Sequence, residues 1–494
     1  MKVLLCSTYE LGHQPLGIAG PAAALISAGH DVETADLSFE PWPAEAISRA
    51  EAIVFSIPMH TATELAMQAA QRIADEGLRP PLAFIGLYAS VLEDHPLLRP
   101  SDFLGAGETA QALERWLEQL SDGPSVGATQ HSPPLQASID LGPVALPATP
   151  PPARSLLAPL DRYARYLEGG RSELAASVES TRGCNHRCRH CPVASVYGGR
   201  SRAIALESVL ADIAQVVSMN ATHISFADPD FLNRPTHALA VAHGLHDRFP
   251  QVTFDATVKI EHILRHRSLW PELRRSGLTF VVSAFESTDD ELLQVLDKGH
   301  TADDEAEAVA ILRSAGVEIR PSWLPFTPWT TLGSLASLLE FSARADLVGS
   351  TDSVQYSIRL LLPRGSLLMA DPDPVLEEAT RPDGTTTPDG QGAASPATFS
   401  GSLAWRHRDP RIDELQRAMA SLVEASASAE CSPEETFTEL WALCRHTGAP
   451  LGDEPPAADP RYLSTVPGHA RPRLSEAWFC CAEPTLAQIE LVRR

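Results

Sequence analysis

The 494-residue chain has no apolar run approaching the roughly 18 residues that would span a membrane, so an integral membrane protein is not expected. It has no Lys/Arg cluster large enough to follow a phosphate backbone. Instead, 63 acidic against 39 basic side chains leave a formal charge of −24. A field of that sign repels nucleic acid, which is therefore not expected as a partner. The opening stretch, MKVLLCSTYELGHQ, carries only a few apolar residues and no cleavage-site pattern, so it reads as a first strand and not as a signal peptide. Cysteine is sparse as well. Eight residues, three of them clustered, do not make a secreted disulfide framework, and a reducing cytoplasm is the consistent compartment.

What is present is a soluble globular composition, 44% hydrophobic and 21% charged, in a chain long enough for two or three domains. Over residues 1–120, short apolar runs alternate with amphipathic ones. Strands are expected at Lys2–Cys6, Asp31–Ala35, Ala52–Ile57, Pro81–Gly86 and Asp102–Leu104, with helices at Gly20–Ala28, Ala62–Asp75 and Ala110–Leu120. That alternation predicts a doubly wound parallel sheet of the Rossmann type. Residues 121–165 open with a Pro-, Gly- and Ser-rich stretch and are expected to be a linker or crossing segment.

A second alternating series fills residues 166–366. Its strands are expected at Ala175–Glu179, His223–Phe226, Thr253–Val258, Thr279–Phe285, Glu318–Leu324 and Ser353–Leu361. Six strand–helix units predict a partial (β/α)6 barrel, with its chemistry at the carboxyl ends of the strands. Residues 367–403 are expected to be mobile, and 404–494 to form a mostly helical terminal region.

Directly after the first strand of the second series comes ESTRGCNHRCRHCPVASVYGG, in which Cys184, Cys188 and Cys191 form CxxxCxxC. Three thiols can supply three ligands to one metal centre, whereas a 4Fe-4S cluster normally takes four. A vacant fourth position would leave one iron open to a small molecule, as catalytic zinc keeps a place for water. The competing reading is structural zinc with His186 or His190 as fourth ligand. No second ligand knuckle follows to support it.

The motif and its place in a βα series resemble the radical S-adenosylmethionine superfamily. That resemblance implies a 4Fe-4S cluster on Cys184, Cys188 and Cys191, with S-adenosylmethionine chelated through its methionyl end. One-electron reduction would then release a 5′-deoxyadenosyl radical. His190 stands where the family usually has an aromatic residue. ISFADPDFLN closes the second strand, and Asp228-Pro229-Asp230 replaces the usual Gly-Gly-Glu. TVKIEHI brings Lys259 and Glu261 to the end of the third strand, and VVSAFESTDDELLQVLDKG places Glu286 at the end of the fourth. By resemblance, Asp228, Asp230, Lys259 and Glu286 are cofactor-binding. Asp289 and Asp290 read as helix-capping or solvated charges.

The first domain resembles the cobalamin-binding domain that precedes many radical enzymes, through QPLGIAGPAAALISAGHDVETADLS and FLGAGETAQAL. The histidine signature Asp-x-His-x-x-Gly is missing: no aspartate precedes His13, and its next glycine is Gly17. His13 is therefore not expected to bind cobalt. Whether the sheet carries cobalamin or has kept only the fold stays open. Near the other end, WFCCAEPT resembles a group of radical S-adenosylmethionine proteins with a Cys-Cys-Ala-Glu-Pro tail, some with selenocysteine at the first position. That implies catalytic roles for Cys480 and Cys481 as soft nucleophiles toward a thiophilic centre such as sulfur or trivalent arsenic, with Glu483 as a nearby base. Cys6, Cys431 and Cys444 are assigned no role.

The expected function is reductive cleavage of S-adenosylmethionine to transfer a methyl or other cofactor-derived group to a small molecule. An external one-electron donor of the flavodoxin or ferredoxin type would supply the electron. The alternatives are a nucleic-acid methylthiotransferase, which the charge opposes, and a metal- or metalloid-binding thiol protein without catalysis. Replacing any one of Cys184, Cys188 or Cys191 with alanine is expected to abolish the visible absorption of the reconstituted cluster. Full iron and sulfide in the triple variant would refute the ligand assignment.

Overall fold

The computed structural model describes residues 1–121, 135–137, 150–381, 402–448, 467–476 and 486–493. Its first sheet contains β1 (Lys2–Ser7), β2 (Asp31–Asp36), β3 (Ala52–Ser56), β4 (Leu82–Ile85), β5 (Phe103–Gly105) and β6 (Leu135–Ala137). All are parallel, in the order β2-β1-β3-β4-β5-β6. The β3 and β4 segments, AIVFS and LAFI, are buried throughout, as strands covered on both faces must be. Each face has its own core. Helix His60–Asp75 packs Leu65, Ala66 and Ile73 over one; Leu16–Ser27 and Ala110–Ser121 pack Ile18, Leu25, Leu113 and Trp116 over the other. The strand order reverses between β1 and β3, which opens the crevice used by ligands in such sheets. The expected strands are all present within a residue or two. β6 lies inside the segment expected to be a linker or crossing segment.

The second sheet is built from β7 (Arg165–Glu168), β8 (Arg171–Val178), β11 (His223–Phe226), β12 (Thr253–Thr257), β13 (Leu278–Glu286), β14 (Glu318–Trp323) and β15 (Arg473–Leu474), in the order β14-β13-β12-β11-β8-β7-β15. A short separate ribbon pairs β9 (Thr181–Gly183) with β10 (Ser201–Ala203). The five strands β8, β11, β12, β13 and β14 run parallel, and β7 and β15 extend the edge antiparallel. Alternation sorts their side chains. Ile224, Phe226, Phe254 and Ala256 join the core beneath the helices, while His223 and Ser225 each hydrogen-bond Asp255 on the opposite face.

Two expectations need correction. Ser353–Leu361 is not a sixth strand: residues Ser353–Ser357 form a 3-10 turn, and one parallel bridge, Phe326 to Arg359, is all that continues the sheet. Tyr356 buries inward against Phe437 of the helix Pro433–Gly448, so packing overrides strand propensity there. Nor is the start of 367–403 a loose segment. Leu367–Ala370 and Pro374–Ala379 are helical, and Leu368 and Leu376 bury with Trp405. The helices Pro410–Ser428 and Pro433–Gly448 lay Leu415, Met419, Leu440 and Trp441 onto the barrel core.

Arg154 joins the two sheets. It is 1% exposed, grips both oxygens of Asp212 at 2.6 and 2.7 Å, and donates to the Ser177 carbonyl in β8 and to Gln14 in the loop after β1. Arg154→Ala should cost about 3–5 kcal/mol by leaving Asp212 buried without its cation. Arg154→Met with Asp212→Leu should recover most of that loss. Denaturant midpoints of the single and double variants decide it: equal losses in both would mean that the arginine acts through packing alone.

Candidate functional site

The cysteine loop begins where β8 ends and is closed at its base by the β9–β10 ribbon. Gly183, at φ +73°, makes the turn into it. A Cβ there would meet the Arg200 carbonyl and lie 2.6 Å from the Tyr197 ring, so only glycine fits. Asn233, which closes the 3-10 turn Phe231–Asn233 after β11, holds the first half of the loop. Its side-chain oxygen accepts from the Asn185 N–H at 3.0 Å and from the Cys184 thiol at 3.8 Å. Farther along, the Arg189 N–H donates to Leu296, and the Arg189 carbonyl accepts from the Leu368 N–H. Cys191 starts the helix Pro192–Tyr197, with proline at the first helical position. Val193, Val196 and Tyr197 of that helix pack against Cys184, Cys191 and, from the first sheet's carboxyl-edge loops, Leu87 and Ala106.

No disulfide involves the three cysteines, and Cys188 is buried. Burial, with the charge of Asp230, pushes the Cys184 thiol up to about 11. A thiol held protonated this way gives up its proton when a metal takes its place. The Lys298 ammonium lies close enough to Cys188 and Cys191 to be stabilised by their sulfurs. Three soft donors on one tied loop with a buried cation beside them fit an iron–sulfur cluster. Both histidines of the motif are engaged with other groups. His186 Nδ1 lies 3.2 Å from Lys259 Nζ, and His190 Nε2 lies 3.1 Å from Glu286.

The four expected cofactor residues sit at strand ends around this loop. Asp228, 1% exposed, accepts from the Ser180 N–H, the Ser180 hydroxyl and the Thr181 hydroxyl at 2.6–2.7 Å. Burial pushes its carboxyl up to about 6 against those three hydrogen bonds. Asp230 caps its own turn through Leu232 and accepts the Lys259 N–H at 3.2 Å. Lys259 directs its ammonium toward His186 and Glu261. Glu286 ends β13 at φ +70°, where the register with β14 shifts, a conformation that non-glycine residues adopt at a cost. One of its oxygens takes both Lys298 Nζ at 3.0 Å and His190. Burial alone would raise its carboxyl, but Lys298 and His190 overcome that and hold it well below the usual range.

Asp289 caps the helix Asp290–Val295, as expected of a structural charge. Cys480, Cys481 and Glu483 lie outside the described residues. Sequence reading did not single out Asn233, Lys298 or His262. All three lie in segments already quoted for their resemblance, His262 three residues after Lys259 in TVKIEHI. A single sequence carries no sign that these side chains turn inward.

Comparison with known proteins agrees with this geometry. Residues 178–325 match the Radical SAM superfamily, so the chain carries a radical SAM domain. The hopanoid C-3 methylase of Methylococcus capsulatus (strain ATCC 33009 / NCIMB 11132 / Bath) is 22% identical over 348 residues, which are 66% of this chain and 64% of the methylase. The chain thus spans somewhat under two thirds of that relative's length. Among solved structures, the cobalamin-dependent S-adenosylmethionine radical enzyme OxsB, with aqua-cobalamin and S-adenosylmethionine bound, aligns with a TM-score of 0.64 at 14% identity, covering 86% of this chain and 67% of OxsB. The radical S-adenosylmethionine methyltransferase TsrM from Kitasatospora setae aligns at 0.56 and 16% identity, covering 70% of this chain and 72% of TsrM. These likenesses show a shared fold. Among the described residues, no helix is long and apolar enough to cross a membrane.

Glu286→Gln should destabilise the protein by about 3–5 kcal/mol, because Lys298 would remain buried without its counter-charge. The sign with pH follows from the depressed carboxyl. Its stabilisation is present above pH 4.5, the ordinary value, and is lost as pH falls toward the lower folded value. Denaturation of wild type and variant from pH 8 to pH 4 should show a gap that is constant at first and narrows only at the acid end. A gap that widened on acidification would contradict the pairing.

Proposed function

We propose that this radical SAM protein reductively cleaves S-adenosylmethionine at a 4Fe-4S cluster held by Cys184, Cys188 and Cys191, and transfers a methyl or other cofactor-derived group to a small molecule. The observation that carries this reading is the three-thiol loop at the carboxyl mouth of a parallel half-barrel, bordered by the carboxyl edge of a second parallel sheet. A cluster held by Cys184, Cys188 and Cys191 would supply one-electron reductive cleavage of a sulfonium carbon–sulfur bond of S-adenosylmethionine, with the sulfur-bearing fragment as leaving group. An external flavodoxin- or ferredoxin-type protein would deliver that electron.

The chain's own residues then have distinct tasks. Asp228 sets the Ser180–Thr181 turn from which the cysteine loop departs. Asp230 joins the ends of β11 and β12 beside Cys184. Lys259 supplies a cation for the cofactor's methionyl carboxylate. Glu286 keeps Lys298 charged next to Cys188 and Cys191. The names of the methylase and TsrM support methyl transfer as the leading outcome, and the cobalamin bound in OxsB and TsrM supports the same cofactor here, for which the crevice between β1 and β3 is the candidate place. His13 does not fit as a cobalt ligand. It is half-buried near Asp255 and His223 of the barrel, and desolvation there lowers its basicity. No step is assigned to it.

Cys480 and Cys481 are proposed to engage the substrate, on the strength of the tail's resemblance and the affinity of paired thiolates for thiophilic centres. Incubating the reduced protein with isotopically labelled S-adenosylmethionine, with and without hydroxocobalamin, should yield 5′-deoxyadenosine or S-adenosylhomocysteine. Cys480→Ser should keep iron and sulfide, lose labelled product and continue to consume cofactor. Cofactor left intact by fully reconstituted, reduced wild type would reject the enzyme reading. Wild-type turnover in Cys480→Ser would remove the tail from the site.

A further inference from the structure

Three consecutive strand ends bring together side chains that the reading above does not use as a group. His186 comes from the cysteine loop after β8, Asp230 from the end of β11, and His262 from the first turn of the helix Ile260–Arg265 after β12. One ligand atom from each lies within 4.8 Å of the others. Asp230 and His262 are buried, and His186 is nearly so, at 13% side-chain exposure. The imidazoles stand 4.6 Å apart between ring centres.

Their hydrogen-bonding state is unusual for so enclosed a place. His186 Nε2 and His262 Nδ1 are both buried without a hydrogen-bond partner. His262 Nδ1 lies 2.9 Å from Asp230 Oδ2, yet the two are not aligned as donor and acceptor. His186 Nε2 lies 3.8 Å from the same oxygen. Buried polar atoms in folded proteins are normally satisfied, so two orphaned imidazole nitrogens converging on one carboxylate oxygen call for an occupant. The surroundings are arranged as they would be for a cation. Asp230 Oδ1 is tied to the Leu232 N–H and its Oδ2 accepts the Lys259 N–H, which fixes the carboxylate. His186 Nδ1 accepts from Lys259 Nζ at 3.2 Å and lies 3.5 Å from Glu261 Oε2; with a metal on Nε2, Nδ1 would carry the proton and turn to Glu261, the outer-shell partner that metal-bound histidines generally have. Lys259 Nζ, 3.5 Å from Glu261, offsets that second carboxylate.

We propose that His186, Asp230 and His262 form a mononuclear site for a divalent transition metal beside the cysteine loop. Two imidazoles and one carboxylate suit zinc, iron or cobalt and leave coordination positions open. Those positions would be available to an oxygen or nitrogen group of a small molecule held next to Cys184.

The probe is Co(II) added to the full-length protein after anaerobic cluster reconstitution, so that the loop cysteines are occupied, in a Cys480→Ser/Cys481→Ser background. One cobalt per chain should survive desalting, and pulsed EPR should show imidazole nitrogen couplings. His262→Gln and Asp230→Asn should each retain less than a tenth of that cobalt at unchanged iron and sulfide. Should either variant lose its cluster, the nitrogen couplings of the parent protein decide alone. No retained cobalt in the parent, cobalt without imidazole couplings, or full retention in both variants would overturn the site.

Discussion

Asp228 is buried at the carboxyl end of β11 with three donors on its two oxygens, and all three come from the residues at which the cysteine loop departs from β8. A carboxylate withdrawn from water is costly unless its lone pairs are met, and meeting them here fixes where the loop begins. The same device recurs at neighbouring strand ends. Asp230 joins the β11 turn to the start of the helix after β12, and Glu286 at the end of β13 collects Lys298 and His190. The parallel sheet brings these ends to one rim, so side chains distant in sequence become neighbours. The geometry of the thiol donors rests on this rim of buried charge more than on the loop's own backbone.

The barrel does not stand alone. Arg154 bridges Gln14, Ser177 and Asp212, Arg202 of the β9–β10 ribbon pairs with Glu108 after β5 at 2.7 Å, and Tyr163 donates to Asp36 at 3.1 Å. The carboxyl edge of the first sheet is thereby held against the cysteine loop. The terminal region returns to both bodies. β15 pairs with β7, and the helix Leu486–Arg493 places Val492 in the core over helix His60–Asp75, with the Val492 carbonyl accepting from Arg72 at 2.9 Å. The chain on either side of residues 477–485 is therefore anchored to the two bodies that border the proposed active site.

Much of this was legible in one sequence. Period-2 and period-3.6 patterns located five of the six strands of the first sheet and four of the second within a residue or two, and found β8 with its start four residues late, because burial of one face or both leaves a local imprint. The thiol spacing declared a metal centre, since three ligands so close together serve one ion or cluster. Ser353–Leu361 misled because a buried apolar run reads alike whether it joins a sheet or packs as a turn. Leu368 and Leu376 were missed because too few apolar residues stood in a polar context to signal a core.

The sequence by itself determined the two alternating series, the three-thiol motif and the expectation that strand-end carboxylates would matter, all of which follow from residue type and local spacing. Only the tertiary structure decided what those carboxylates hold: that Asp228 serves Ser180 and Thr181, that Glu286 is matched by Lys298, and that His186, Asp230 and His262 converge. The reason is physical. Such pairings depend on which strands lie side by side and on how far each end projects, and both are settled by the packing of cores assembled from residues far apart along the chain.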